Sequence, residues 1–401
     1  MVRRGPLHGL KVIELAHIMA GPACGMLLAD LGADVIKVEK VPGGDASRDM
    51  VPPTVQGESA AFMMLNRNKR GIAVDLKTEA GRTLMRDMLV TADVVIENYR
   101  VGTMERFGLG YERLRDANSR LIYCAISGFG RTGPLGSMAG FDLIAQGYSG
   151  LMSITGEGTA RPPVKCGAPM TDITSGILAA LGILAAIVDR ERTGTGQRVE
   201  TSLFEAGIIH TFWQAAIFLS TGVSPTPLGS AHPLSAPYQA FETADGWINI
   251  GASSEASWQR LPPAMNLPEL LSDARFTTNA DRMAHLDELV GLLSPVFKRR
   301  TTSEWLTDLE GAGVPAGPVL TIGEMLEHPQ TLARNMVTEV DHSLVGTMRT
   351  LGCPIKMDSR DPGRSRPAPV LGEHTIDILR EYGLTESAIA DLRETGAVFC
   401  A

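Results

Sequence analysis

The sequence predicts an α/β protein: a mostly parallel sheet covered by helices on both faces in a larger domain, then a smaller α+β domain. Two observations carry that prediction. Short apolar runs alternate with helical runs through the first half, as repeated β-α-β units require. A stretch rich in Pro, Ser and Gly, 220–239, then separates this pattern from a different one. The 401 residues are enough for two such domains.

The elements follow in order. "KVIELA" (11–16) is a strand of branched apolar residues, and "GPACGMLLADLG" (21–32) is a helix. Pro22 suits its first turn, where a backbone N–H would lack a partner anyway. "DVIKVEK" (34–40) is the second strand; a helix at 79–92 and a strand at 93–99 make a further unit. "RLIYCAISGFG" (120–130) is a strand running into a glycine-rich turn, and 192–206 gives a turn, a strand and the start of a helix. The apolar run 176–188, "GILAALGILAAIV", reads as a buried core helix, too short to span a bilayer and ended by "DRER". The expected organisation is a large-domain portion over 1–219, a linker over 220–239, a small domain over 240–335 and a segment, 336–401, returning to the large domain. The small domain opens on a hairpin, 240–252, with an Asp-Gly turn. The returning segment carries two short helices within 367–398, and no internal repeat is visible.

Composition excludes several classes. A hydrophobic share of 44% with 20% charged residues is that of a folded globular chain. The net charge of −8 argues against a general nucleic-acid surface. Cysteines at 24, 124, 166, 353 and 400 form no C-x-x-C pair, which fits reduced thiols and a cytoplasmic location. The N-terminus has basic residues but no secretory apolar core, and no membrane association is expected. No H-E-x-x-H or paired-cysteine pattern offers a metal site.

Several stretches have both a functional and a plain reading. The turn "AHIMAGPACG" lacks G-x-G-x-x-G, yet it follows a strand end, where such folds place ligands. "NRNKR" (66–70) could cradle phosphate or be solvated surface. "ENYRVGTMERFGLG" (97–110) sets Asn98, Tyr99, Arg100 and Arg106 after a strand end, a combination able to hold an adenine and phosphates. "AISGF" around Ser127 breaks G-x-S-x-G, and among the dispersed histidines only His232 stands out. Asp172, in "GAPMTDITSGILAALGI", is either an N-cap or a nucleophile at the edge of a packed interior. A cap position would favour its ionised form through the helix dipole.

Longer blocks decide between these readings. "LHGLKVIELAHIMAGPACGMLLADLGADVIKVEK", "NRNKRGIAVDLKTEAGR" and "VVIENYRVGTMERFGLGYERL" are followed by "LIYCAISGFGRTGPL" and "DITSGILAALGILAAIVDRERTGTGQRVETSLFEA". "HPLSAPYQAFETADGWINIGA", "GVPAGPV" and "PAPVLGEHT" complete the series. In these blocks, over nearly its whole length, the chain resembles the class III coenzyme A transferases, the family of formyl-CoA transferase and carnitine CoA-transferase.

The resemblance implies a Rossmann-like large domain, an interlocked homodimer, and an acyl-CoA with a small carboxylate as reaction partners, with no tightly bound cofactor. It implies that Asp172 is the catalytic aspartate, attacking the thioester and passing through a mixed anhydride and an aspartyl-CoA thioester. Coenzyme A contacts are implied at Ile18, Ala20, Lys40, Val74, Lys77, Asn98, Tyr99, Thr103 and Arg106, with Lys40, Lys77 and Arg106 as phosphate or adenine partners. A mobile loop is implied over "GASSEAS" (251–257). The α-methylacyl-CoA racemase branch pairs the aspartate with a histidine, and Phe141 occupies that position here. Phenylalanine carries no proton, which favours a transferase over proton exchange. A non-catalytic CoA-binding protein is the further alternative. Within the transferases, "GLGYERL", "SGLMSITG" and "GSAHPLSAPYQAF" are most similar to succinyl-CoA:dicarboxylate members.

Overall fold

The computed structural model describes residues 5–358 and 365–401. Six strands form one parallel sheet: β1 (Lys11–Leu15), β2 (Asp34–Glu39), β3 (Arg70–Val74), β4 (Val94–Glu97), β5 (Ile122–Ser127) and β6 (Arg198–Ser202). Their order is β3-β2-β1-β4-β5-β6, and Val398–Phe399 adds an antiparallel edge strand through Val398 opposite Val74. Helices cover both faces because successive side chains of each strand point in opposite directions. Ile13, Leu15 and Ile36 pack with Leu84, Met85 and Met88 of a helix over Glu79–Leu89, and with Ile378 and Ile389 of the C-terminal helices. Val12, Val35 and Val94 pack on the other face with α1 (Ala20–Asp30) and a long helix over Met170–Thr193.

We label the Glu79–Leu89 helix α2; α3 is Asp142–Tyr148, the long Met170–Thr193 helix is α4, and α5 is Leu203–Ile209. The crossing of α4 over α1 depends on Gly176, where a Cβ would lie 2.7 Å from the Ala20 carbonyl oxygen. The expectation of a buried core helix at 176–188 holds for one stripe only. Ala179, Ala180, Ile183 and Ala186 are buried, whereas Ile177, Leu181 and Val188 are exposed, Leu181 to 62%. At 24 residues α4 is also longer than the apolar run suggested, and by length and composition alone it would pass for a membrane span. One or two such helices also occur in cores, and the buried stripe gives this one a packed face.

Tertiary contacts divide the described chain into two units, the second made of 151–165 and 211–328. It starts before the 220–239 stretch expected as a linker and ends before 335, so residues 329–335 belong to the first unit. Within it, Tyr238–Glu242 and Trp247–Gly251 form the hairpin, joined by Asp245-Gly246, and Ala316–Pro318 adds a third antiparallel strand. Its core gathers Phe241, Ile250, Trp258, Phe276, Phe297 and Trp305. A second hairpin, Val337–His342 with Gly346–Leu351, lies in the stretch where sequence gave no element.

Candidate active site

Strand order reverses between β1 and β4, and the loops at the carboxyl ends of the strands surround that point. Two cavities lie there. One, of about 500 Å³, is lined by Lys40, Asp45, Val74, Lys77 and Phe107 among others. The other, of about 380 Å³, is lined by Ile18, Ala20, Asn98, Ser137, Phe141 and Asp172 among others. His17, Tyr99 and Thr103 line both. Nine of the ten site residues expected from sequence thus border one or both cavities; Arg106 borders neither. Its guanidinium is exposed and donates to the Thr103 Oγ1 at 2.9 Å.

The turn after β1 is held from two sides. Asn98 brackets His17, its Oδ1 accepting from the His17 N–H at 3.0 Å and its Nδ2 donating to the His17 carbonyl at 2.9 Å. Asp45 accepts from the Ile18 N–H at 3.0 Å. Ile18 has φ of 67°, a left-handed conformation that a β-branched residue adopts only under constraint. Burial lowers the pKa of His17 below its ordinary value, so it is neutral near pH 7.

Asp172 lies in the first turn of α4 but is not its cap. The N-cap is Pro169, with no side-chain bond. The capping that was one reading of Asp172 is done by Asp142 of α3, whose Oδ1 accepts from the Thr171 N–H at 2.9 Å and the Thr171 Oγ1 at 2.8 Å. The Gln146 Nε2 donates to the other Asp142 oxygen at 2.7 Å. Burial first, and then the Asp142 charge, push the Asp172 carboxyl up to about 7. A cap position was expected to favour the ionised form; here burial and a like charge outweigh the helix terminus.

"NRNKR" follows neither of its two readings. Arg67 pairs with Asp30 at 2.6 Å and Lys69 with Glu14 at 2.8 Å, all four side chains almost fully buried. Arg70 pairs with Asp34 and Glu381. These cations tie strands and helices together and are spent before any phosphate arrives. The Ser127 Oγ accepts from the Gly130 N–H at 3.0 Å, which makes it a turn residue. In the second unit, the Trp213 and Tyr238 rings flank His232, and its Nδ1 accepts from the Leu234 N–H. Among the described residues no cluster of His, Cys, Asp or Glu could hold a metal ion.

Sequence reading missed Asp45, Asp142 and the loop carrying Ser137 and Met138. Asp45 had a usable signal, an Asp-Ala-Ser run that caps a short 3₁₀ turn over Ala46–Asp49. The loop closes at its base through Gly128 and Gly140, where a Cβ on Gly128 would sit 2.5 Å from the Gly140 Cα. Glu97, at the end of β4, is also buried; desolvation raises its pKa to about 7 although the Tyr99 N–H donates to it at 2.9 Å.

A doubly wound sheet with its cavities at the strand-order reversal defines a ligand-binding α/β protein, and comparison with known proteins gives the family. The model for CoA-transferase family III matches residues 7–375. The chain belongs to that family and is a CoA-transferase by class. Succinyl-CoA:glutarate CoA-transferase of Homo sapiens is 37% identical over 394 residues, covering 98% of this chain and 90% of that protein. Succinyl-CoA:mesaconate CoA-transferase of Haloarcula hispanica is 40% identical over 389 residues, covering 95% and 97%. A CAIB/BAIF family protein from Brucella suis superimposes with a TM-score of 0.84 at 41% identity, covering 94% of this chain and all of that one.

Proposed function

We propose that the protein transfers CoA from an acyl-CoA, with succinyl-CoA the favoured donor, to a small dicarboxylate through covalent intermediates on Asp172. One observation carries this reading. The Asp172 carboxylate borders a cavity that shares His17, Tyr99 and Thr103 with a second one bordered by Lys40 and Lys77. A long thioester laid across both would bring its phosphates to exposed lysines and its carbonyl to the aspartate.

The Asp172 carboxylate attacks the thioester carbonyl and expels CoA thiolate, leaving a mixed anhydride. The thiolate then attacks the aspartyl carbonyl, forming an aspartyl-CoA thioester and releasing the first acid. The acceptor carboxylate repeats these steps in reverse. Each intermediate keeps the acyl activation that hydrolysis would waste. Gly167, Ala168 and Thr171, close to the aspartate in sequence, are small, which favours room for the acyl chain. Relatives of similar identity act on glutarate and mesaconate, which supports a dicarboxylate acceptor. Phe141 borders the same cavity where proton exchange would need a base.

The working form is proposed to be an interlocked homodimer. The exposed Ile177, Leu181 and Val188 give α4 an apolar stripe that a second copy would cover.

Incubation with succinyl-CoA and hydroxylamine, followed by peptide mass spectrometry, tests the mechanism. A hydroxamate on Asp172 is expected, and Asp172→Asn should lower CoA exchange by at least about a thousandfold. Undiminished exchange by Asp172→Asn would refute the covalent route.

A further inference from the structure

Beneath the cavities lies a buried chain of charges that the proposed chemistry does not use. Glu14 on β1 and Lys37 on β2 are register partners in adjacent strands, both fully buried. The Lys37 Nζ pairs with Glu14 at 3.0 Å and with Asp45 at 2.7 Å, and donates to the Ala16 carbonyl at 2.9 Å. Lys69 reaches the other Glu14 oxygen at 2.8 Å. Two lysines and two carboxylates therefore balance in charge. Breaking such a pair is costly, so each member is held rigidly by the others.

The two Asp45 oxygens do different work. Oδ2 takes the Lys37 ion pair. Oδ1 accepts from the Ile18 N–H at 3.0 Å and from the Ser47 N–H and Oγ at 2.8 Å. The Asp45 N–H in turn donates to Glu39 at 2.9 Å. Ile18 is where support is needed, because its positive φ is strained for a β-branched residue and persists only where neighbours over-determine it. Released, this residue would relax toward a negative φ and carry Met19 and Ala20 with it. All three border the Asp172 cavity, and His17 beside them borders both.

We infer that Asp45 is a positioning residue: anchored on buried Lys37, it grips the Ile18 N–H and holds the strained turn between the two cavities in the shape that receives an acyl-CoA. The inference rests on the reading of those cavities as the acyl-CoA site. It assigns the ion pair to rigidity and the hydrogen bond from the Ile18 N–H to ligand geometry, and these are separable by substitution. Asp45→Asn keeps an oxygen for the Ile18 N–H and loses the charge. Asp45→Glu keeps the charge and displaces the oxygen by one methylene. Asp45→Ala loses both.

The experiment measures steady-state exchange with succinyl-CoA and glutarate, the Kd of free CoA by calorimetry, and thermal unfolding, for wild type and all three variants. Loss of a hydrogen bond to a charged group predicts that Asp45→Glu and Asp45→Ala raise the succinyl-CoA KM and the CoA Kd by about tenfold or more. The glutarate KM should stay within about twofold, whereas a mere loss of folded enzyme would lower apparent kcat and leave both KM values alone. Asp45→Asn should bind CoA nearly as wild type while unfolding at a lower temperature. The inference is overturned if Asp45→Glu binds CoA normally, or if Asp45→Asn is as impaired in KM and Kd as Asp45→Ala. Wild type that binds CoA without exchanging it would refute the transferase reading, and the Kd series would still judge Asp45. Wild type that binds no CoA would remove both.

Discussion

In the proposed reaction the Asp172 carboxylate attacks a carbonyl and must be ionised, and Asp172 is held where ionisation is costly. Burial and the Asp142 charge raise its pKa to about 7. The ionised fraction therefore rises with pH through that value, and kcat/KM should climb from pH 5 to 8 with an acid limb near 7 in a pH-rate profile. The same raised pKa makes the carboxylate a better nucleophile once ionised. Asp142→Asn removes the like charge and leaves an oxygen for Thr171, so the acid limb should move to lower pH. An unmoved limb would mean that burial alone sets the value.

Among the elements, α4 carries the most consequence. It presents Asp172 in its first turn and crosses α1 through Gly176, while α1 begins at the turn that Asp45 holds. A side chain at 176 must push against the Ala20 carbonyl, which is backbone and yields little. Gly176→Val should therefore destabilise the protein by about 1–3 kcal/mol, read as a lowered urea midpoint. It should also weaken acyl-CoA binding, because Ala20 borders the cavity that it displaces.

For the whole molecule, the exposed side of α4 raises the matter of assembly. Leu181 is 62% exposed and Val188 61%, on a helix whose opposite stripe is in the core. A second copy covering that side would take the apolar surface out of water. Leu181→Asp should then shift the mass measured by light scattering from dimer toward monomer. A wild-type chain that runs as a monomer would refute the assembly reading and leave the Asp172 chemistry to be tested separately.

What sequence alone determined was what short-range pattern encodes. The alternation of apolar strands with helices predicted the doubly wound sheet, and Asp-Gly located the small-unit hairpin, because period and turn chemistry are local. Family blocks brought Asp172 and the expected CoA contacts together before their positions were known. Tertiary structure decided what depends on partners far away in the chain. Arg67 and Lys69 read as surface or phosphate ligands until Asp30 and Glu14 met them in the interior. Locally Asp172 read as either a cap or a nucleophile until Asp142, thirty residues earlier, was found holding the helix start, with burial first and the Asp142 charge second raising the Asp172 pKa. The Asp-Ala-Ser run could mark Asp45 only as a cap; its link to the site emerged when the fold set it between buried Lys37 and the backbone of Ile18. Local sequence specifies which groups are present; burial and long-range pairing set their charge and reach, and with them the chemistry they can do.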